Sequence, residues 1–476
     1  MRTAGRVQAP GHGERLLAIT TLFLLAYSLP TSWFVEDNTA VASGDASVIV
    51  VFALLFAIAV TRLVGSWKHV TRAVRREPFL LVFSFFLVAS TAWSTTPDVT
   101  FRRSVALLLT IFFGYYLVVR FPLREIIRLA TIALIVGTVV NFMWVLALPK
   151  YGITQLTTEA ATNGDWSGVF PHKNALGRSS LLAAVFFVFA ARLFPRRRVL
   201  YWTFGLLNVV LIVKANSQTA LVSLMLLLVL MALFTGLRAH ATLYGGVAFG
   251  LIGTSVLAAG FVTTNLGPIS QSLGRDATLT GRTQLWTDVI HEIKRHPLFG
   301  FGWSGFWTGE KNGPSSYVLL RNPWHPPDAH NAVLELAVNV GIIGTVLFLF
   351  VVFRGLVRAV GHVRRVPDIL GLFPLVYLSL VLLQSVTEMG VIGRDLNWSI
   401  FVVAVVLCAR DRADGHLAPS PLPLDLPDDP SPDVVRTAAS VAPEQIVAPP
   451  SAVHRTAAPS APSATRTSFT VRRPSA

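Results

Sequence analysis

The chain has 476 residues, of which 53% are hydrophobic and only 14% charged, and its formal net charge is +15 at pH 7. Soluble domains carry about 25% charged residues, so the composition excludes an ordinary soluble enzyme and predicts an all-α polytopic membrane protein, whose lipid-facing helices cannot hold unpaired charge. The positive charge is spread over short segments between apolar runs, which reads as topology and headgroup attraction and excludes a nucleic-acid-binding face.

About twelve apolar runs approach the length a bilayer crossing needs. Their centres fall near Leu24, Leu55, Phe85, Ile111, Ile135, Ala184, Leu206, Leu227, Gly250, Gly344, Val376 and Val403. Lys and Arg concentrate in 1–15, 67–77, 120–128, 192–198, at Arg238 and in 354–365, whereas 36–45 and 152–168 have none. The positive-inside rule then places both termini in the cytoplasm. The first run, from Leu16, is followed by many others and reads as a retained span rather than a cleaved signal. The expected organisation is a cytoplasmic N-terminus (1–15), a membrane domain (16–410) and a disordered cytoplasmic tail (411–476), which is too poor in large apolar residues to offset its ordering entropy. Cys408, the lone cysteine, lies in an apolar run, so no intramolecular disulfide or cysteine metal site is expected.

This topology puts 36–45, 150–178, 214–218 and a long polar loop, about 264–331, on the extracytoplasmic side, where the unusual polar motifs collect. Arg102, Arg103 and Lys150 fall there against the rule, either retained for binding or lying at headgroup level. Glu36 and Asp37 read as a solvated loop or as a base or metal ligand, although no outer segment holds a metal-ligand constellation. His172, Lys173 and Arg178 precede and open an apolar run, and two readings fit them: an anion site that includes the positive end of a helix, or an anchor against lipid phosphates. Lys214 to Thr219 forms a short outer turn with Ser217 as a reasonable helix cap.

Residues 280–293 read as an amphipathic helix with Leu285, Trp286, Val289, Ile290 and Ile293 on one face and Asp288, Glu292 and Arg295 facing away. Such a helix would lie on the membrane surface. Arg282 sits in its first turn, where a cation opposes the helix dipole unless an anion is close, which points to a phosphate role. His330 stands at the start of the next apolar run with Asp328 and Asn331 beside it. A neutral imidazole there could act as a general base or contact a headgroup, and His325 is a competitor.

Together these motifs resemble the O-antigen ligase/polymerase family, the integral membrane glycosyltransferases with a C-type fold. The resemblance rests on His172-Lys173-Asn174-Ala175-Leu176-Gly177-Arg178, on Ser217-Gln218-Thr219, on Gly281-Arg282 with Leu285-Trp286, on Pro297 and Gly300-Phe301-Gly302, and on His330-Asn331 with Leu334-Glu335-Leu336 and Gly341-Ile342-Ile343-Gly344. The chain departs at Gln218, where the family often carries Arg; Lys214 is a nearby substitute. The resemblance implies glycan transfer from an undecaprenyl-pyrophosphate-type (polyprenyl-pyrophosphate-linked) donor to a hydroxyl on a glycan, lipid or protein acceptor. The reaction would be inverting, with no metal and no cofactor, on the outer face of the bacterial cytoplasmic membrane. The matching positions make His330 the catalytic base and Arg282, Arg178, Lys173, His172, Lys214 and Arg103 the pyrophosphate-binding set. Polymerase and ligase remain alternatives within the class. A transporter or flippase is the alternative outside it, and would place ionisable residues deep within spans and break helices in paired halves.

Overall fold

The computed structural model describes residues 10–28, 46–154, 164–237, 280–309, 313–322, 326–366, 368–386 and 395–409, with isolated residues between 246 and 254 and between 388 and 393. The expected tail, Glu36 and Asp37, and His325 lie outside them. Among the described residues the protein is all-helical apart from one isolated antiparallel bridge, Ile153 to Trp166. The main helices are α1 (His12–Tyr27), α2 (Ala46–Val64), α3 (Trp67–Arg76), α4 (Pro78–Ala89), α5 (Pro97–Arg120), α6 (Leu123–Ala147), α7 (Lys173–Leu193), α8 (Arg198–Lys214), α9 (Gln218–Leu237), α10 (Thr280–Arg295), α11 (Ala332–Arg365), α12 (Phe373–Ser385) and α13 (Leu396–Cys408).

Every expected apolar run except the one around Gly250 is centred inside one of these helices, and that run lies almost entirely outside the described residues. Among the described residues the expected count of about twelve spans is not confirmed. Among the described residues five helices, α5, α6, α7, α9 and α11, are long and apolar enough to cross a bilayer, and α2 with α3 would make a sixth bent by 97°. The helices α1, α4, α8, α12 and α13 are apolar but hold only 12 to 17 residues, short of the roughly 20 a straight crossing takes. Apolar composition is therefore not evidence of crossing for each of them. In α13 every residue is buried, so its all-round hydrophobicity reflects a central position in the bundle.

Ion pairs fix the two ends of the bundle. At one end Glu14 meets Arg120 at 2.7 Å and Arg62 at 3.6 Å, and Arg15 meets Glu125 at 2.9 Å. There too the fully buried Glu77 takes Arg354 at 3.5 Å and also pairs with Arg358. These contacts bring together the starts of α1, α4 and α6 and the ends of α2, α5 and α11. The starts of α7, α11 and α13 and the end of α12 meet at the opposite end, where the expected site residues are.

The elements there interlock through glycine. Inside α11, Gly341 has φ 66° and ψ −173°, a conformation essentially confined to glycine. The break leaves helix amides without intrahelical acceptors, and the segment after α10 supplies them: Ile342 N donates to Pro297 O at 2.8 Å and Ile343 N to Leu298 O at 3.3 Å. In return Phe301 N donates to Val338 O at 3.0 Å. Two motifs some forty residues apart in sequence are thus one structural joint.

The helix expected at 280–293 is present as α10, but its faces differ from the expectation. Leu285 and Val289 are buried as expected, while Ile290 is exposed. Asp288 and Glu292, expected to face away, are buried. Asp288 accepts from Arg321 Nε at 2.9 Å and Asn322 Nδ2 at 3.0 Å, and Glu292 from Arg295 at 3.0 Å. The partners of Asp288 come from a short helix, Ser316–Arg321, and the residue after it, so α10 is clamped on two sides rather than laid on one apolar face.

Candidate active site

The turn 328–331 holds His330 with φ 46°, a conformation uncommon for a residue other than glycine that persists where surrounding contacts determine it. Those contacts are specific. His330 N donates to Asp328 Oδ1 at 2.7 Å. Ala329 N donates to Glu335 Oε2 at 3.0 Å, and Ala329 O accepts from Trp286 Nε1 of α10 at 2.9 Å. Asn331 caps α11, its Oδ1 accepting from Val333 N at 3.0 Å and Leu334 N at 3.1 Å, and its Nδ2 donates to Val386 O at 3.1 Å. The cap satisfies helix-start amides and also pins the segment that follows α12 beside His330.

That segment delivers Glu388, a buried carboxylate on which three other elements converge. Its Oε2 lies 3.8 Å from Arg178 Nη1 and 3.9 Å from His330 Nδ1, and its Oε1 lies 3.7 Å from Arg282 Nη2. His330 Nδ1 is also 3.6 Å from Asp328 Oδ1. Arg178 comes from α7 and Arg282 from the first turn of α10, so the anion that the sequence demands near that turn is a carboxylate of the chain itself. α7 comes close enough because Gly177 has no side chain: a Cβ there would stand 2.5 Å from Ser217 Cβ.

The charges shift one another. Burial alone would push the His330 pKa down, but Glu388 and Asp328 outweigh it and hold it above the ordinary 6.5, with Arg282 opposing. Burial alone would raise Glu388, yet His330, Arg178 and Arg282 bring it below its usual value. His172 goes the other way, lowered by burial and by the nearby charges of His330 and Lys173 against the pull of Glu388 and Asp328. A neutral His172 matches its structural task, since its Nδ1 caps α7 by accepting from Asn174 N at 3.2 Å.

Of the expected pyrophosphate-binding set, the structure thus brings Arg178 and Arg282 into contact with Glu388, beside His330, with His172 close enough to feel their charge. Lys173 points to Asp165, 2.6 Å away. Lys214 lies over the Trp166 ring, 5.8 Å from its centroid. Arg103 stands in the second turn of α5, partly exposed, on an element that carries none of the converging residues. Sequence reasoning missed Glu388 and also Asp395, which caps α13 by accepting from Trp398 N at 3.0 Å. Asp395 is raised by burial, with the charge of Arg178 working against that rise. The usable signal was parity. The polar stretch between the last two apolar runs falls on the same side as His330, and a carboxylate there is the natural counter-ion for arginines without an assigned partner.

Residues 203–349 match a family model described as O-antigen ligase, a stretch that holds Ser217, Arg282, His330 and Gly341. Over 321 residues, 62% of this chain and 68% of the other, the chain is 27% identical to the "Exopolysaccharide production protein ExoQ" of Rhizobium meliloti (strain 1021). With the apolar helices, these matches support a multi-pass membrane protein that is similar to the O-antigen ligase/polymerase family and to an exopolysaccharide production protein.

Proposed function

We propose that the protein transfers a glycan from a polyprenyl-pyrophosphate-linked donor to an acceptor hydroxyl at the extracytoplasmic face of the membrane. The observation that carries this reading is the convergence of Arg178, Arg282 and His330 on one buried point. Two guanidinium groups supply bidentate donors to a diphosphate, and an imidazole beside them can take a proton.

In the proposed reaction the acceptor oxygen attacks the anomeric carbon of the donor sugar. Its proton passes to His330 as the new glycosidic bond forms. The bond from the anomeric carbon to the diphosphate oxygen breaks, and the charge that grows on the departing lipid diphosphate falls on Arg282 and Arg178. Displacement in one step inverts the anomeric configuration. The chemistry is complete without a metal, because the leaving group is already an anion stabilised by two fixed cations. Similarity to an exopolysaccharide production protein favours a glycan acceptor, hence chain extension, over transfer to a lipid or protein.

The test is transfer by the purified protein with a lipid-diphosphate glycan, scoring both turnover and product length. His330→Ala should abolish transfer and leave the donor intact. Arg282→Lys keeps the charge but loses the fork, and should cost at least about tenfold in kcat/KM, the equivalent of roughly 1.4 kcal/mol. Full transfer by His330→Ala would remove the proposed base. Products that never exceed one added unit would favour ligation over polymerisation.

A further inference from the structure

Glu388 sits between Arg178, Arg282 and His330 and closes on none of the three to the distance of a tight ion pair. Its distances to Arg178, Arg282 and His330 run from 3.7 to 3.9 Å, beyond the roughly 2.7–3.2 Å of a direct bond. Carboxylates that tie this fold together behave differently: Glu14 closes on Arg120 at 2.7 Å and Asp165 on Lys173 at 2.6 Å. The two arginine side chains are partly accessible, 26% and 16% exposed, while Glu388 at 9% sits behind them. An anion arriving at the arginines therefore meets them before it meets the carboxylate, and the contacts it must replace are loose.

Building on the reading of the site given above, we propose that Glu388 is the resident counter-ion of the anion site. It holds Arg178, Arg282 and His330 in register before the donor binds and yields both arginines to the diphosphate. It then stays with His330 as the carboxylate that backs the imidazolium. The diphosphate repels Glu388, and His330 is the neighbour left to it. When His330 takes the hydroxyl proton, the positive charge forms next to this carboxylate, which remains ionised throughout. Glu388 acts through the arginines and the histidine, so it is a positioning residue. The other charged or titratable groups facing His330 are Asp328 on its own turn, Arg282 from α10 and His172 at the start of α7, while Arg178 faces Glu388 and Asp395, the latter at the start of α13.

The experiment uses full-length protein in detergent, with inorganic pyrophosphate as the probe in calorimetry and the pH profile of kcat/KM as the second readout. Glu388→Gln removes the competing anion and should bind pyrophosphate about tenfold more tightly, the equivalent of one pKa unit of charge interaction. Its kcat should fall, and the acid limb of kcat/KM should move to lower pH as His330 loses a neighbouring anion. Glu388→Asp keeps the charge one methylene further back, so it should tighten pyrophosphate less and leave the acid limb near its wild-type place. Unchanged or weaker pyrophosphate binding by Glu388→Gln overturns the proposal, as does an unmoved acid limb. If the glutamine variant does not fold, the aspartate variant decides, and no tightening there overturns it too. Arg282→Ala separates the two levels of inference. Pyrophosphate binding that depends on Arg282 without tightening in the Glu388 variants sinks the counter-ion role alone. Pyrophosphate that does not bind, or that binds regardless of Arg282 and Arg178, sinks the reading of the site as well.

Discussion

Replacing Gly341 by Ala tests whether the joint between α11 and the segment after α10 builds the site. A Cβ at Gly341 would stand 2.1 Å from Leu298 O, 2.2 Å from Leu298 C and 2.4 Å from Phe299 N. All three are backbone atoms, so no rotamer change relieves the clash. The backbone conformation itself costs a residue with a side chain about 1–3 kcal/mol. Relief requires the 297–301 segment to withdraw, which breaks the three backbone hydrogen bonds between Ile342 and Pro297, Ile343 and Leu298, and Phe301 and Val338, each worth roughly 0.5–1.5 kcal/mol net. The sum is about 3–7 kcal/mol. It falls on one joint and leaves the ion pairs at the far end of the bundle untouched, so the expected result is local undocking rather than global unfolding. Limited proteolysis in detergent should show new cleavage within 297–309, and transfer should be lost. Gly361→Ala, in the same helix with only the tip of Arg365 at 4.0 Å from its Cβ, serves as control and should gain roughly 0.5–1 kcal/mol from helix propensity. A Gly341→Ala protein as protease-resistant and as active as wild type would refute the account of this joint.

Two further predictions concern the groups around His330. Glu335 accepts from Trp307 Nε1 at 2.8 Å, Ala329 N at 3.0 Å and Asn339 Nδ2 at 2.7 Å. Glu335→Ala strands these buried donors at about 1–3 kcal/mol each and should lower the thermal unfolding midpoint sharply. Glu335→Gln keeps an oxygen for Trp307 and Ala329 and turns its amide toward Asn339, whose Oδ1 has no partner among the described residues; equal midpoints for the two variants would show that the carboxylate does not hold this turn. The pH dependence has a definite sign. The proposed base must be neutral to accept a proton, and Glu388 and Asp328 keep His330 protonated to higher pH than an ordinary imidazole. In kcat/KM, which reports the free enzyme, activity should therefore fall with decreasing pH through a midpoint above 6.5, and an acid limb centred below it would contradict the proposed environment.

How much of this was legible in the sequence depends on whether the deciding partner lies nearby along the chain. Helix positions were legible because each apolar run reports its own burial, and the run centres from Leu24 to Val403 fall in helices wherever the structure describes them. Crossing was less legible, since α13 is as apolar as a span but owes this to a central place among other helices. The faces of α10 misled for a related reason: Asp288 reads as solvent-facing until Arg321 and Asn322, from a later segment of the chain, are brought to it. At the site, Arg282 was legible from a purely local conflict between a cation and a helix start. The charge of Lys173 gave no hint that it ends on Asp165 rather than beside Arg178. Glu388 is the hardest case, because its environment is assembled from α7, α10, the turn before α11 and the segment after α12. The local rule that flagged Arg282 demanded an anion nearby, and the structure answers that demand with a residue more than a hundred positions away. A first-turn arginine in a membrane protein is therefore evidence for a buried carboxylate as much as for a phosphate, and a short polar stretch between late apolar runs on the same side is the place to look for it.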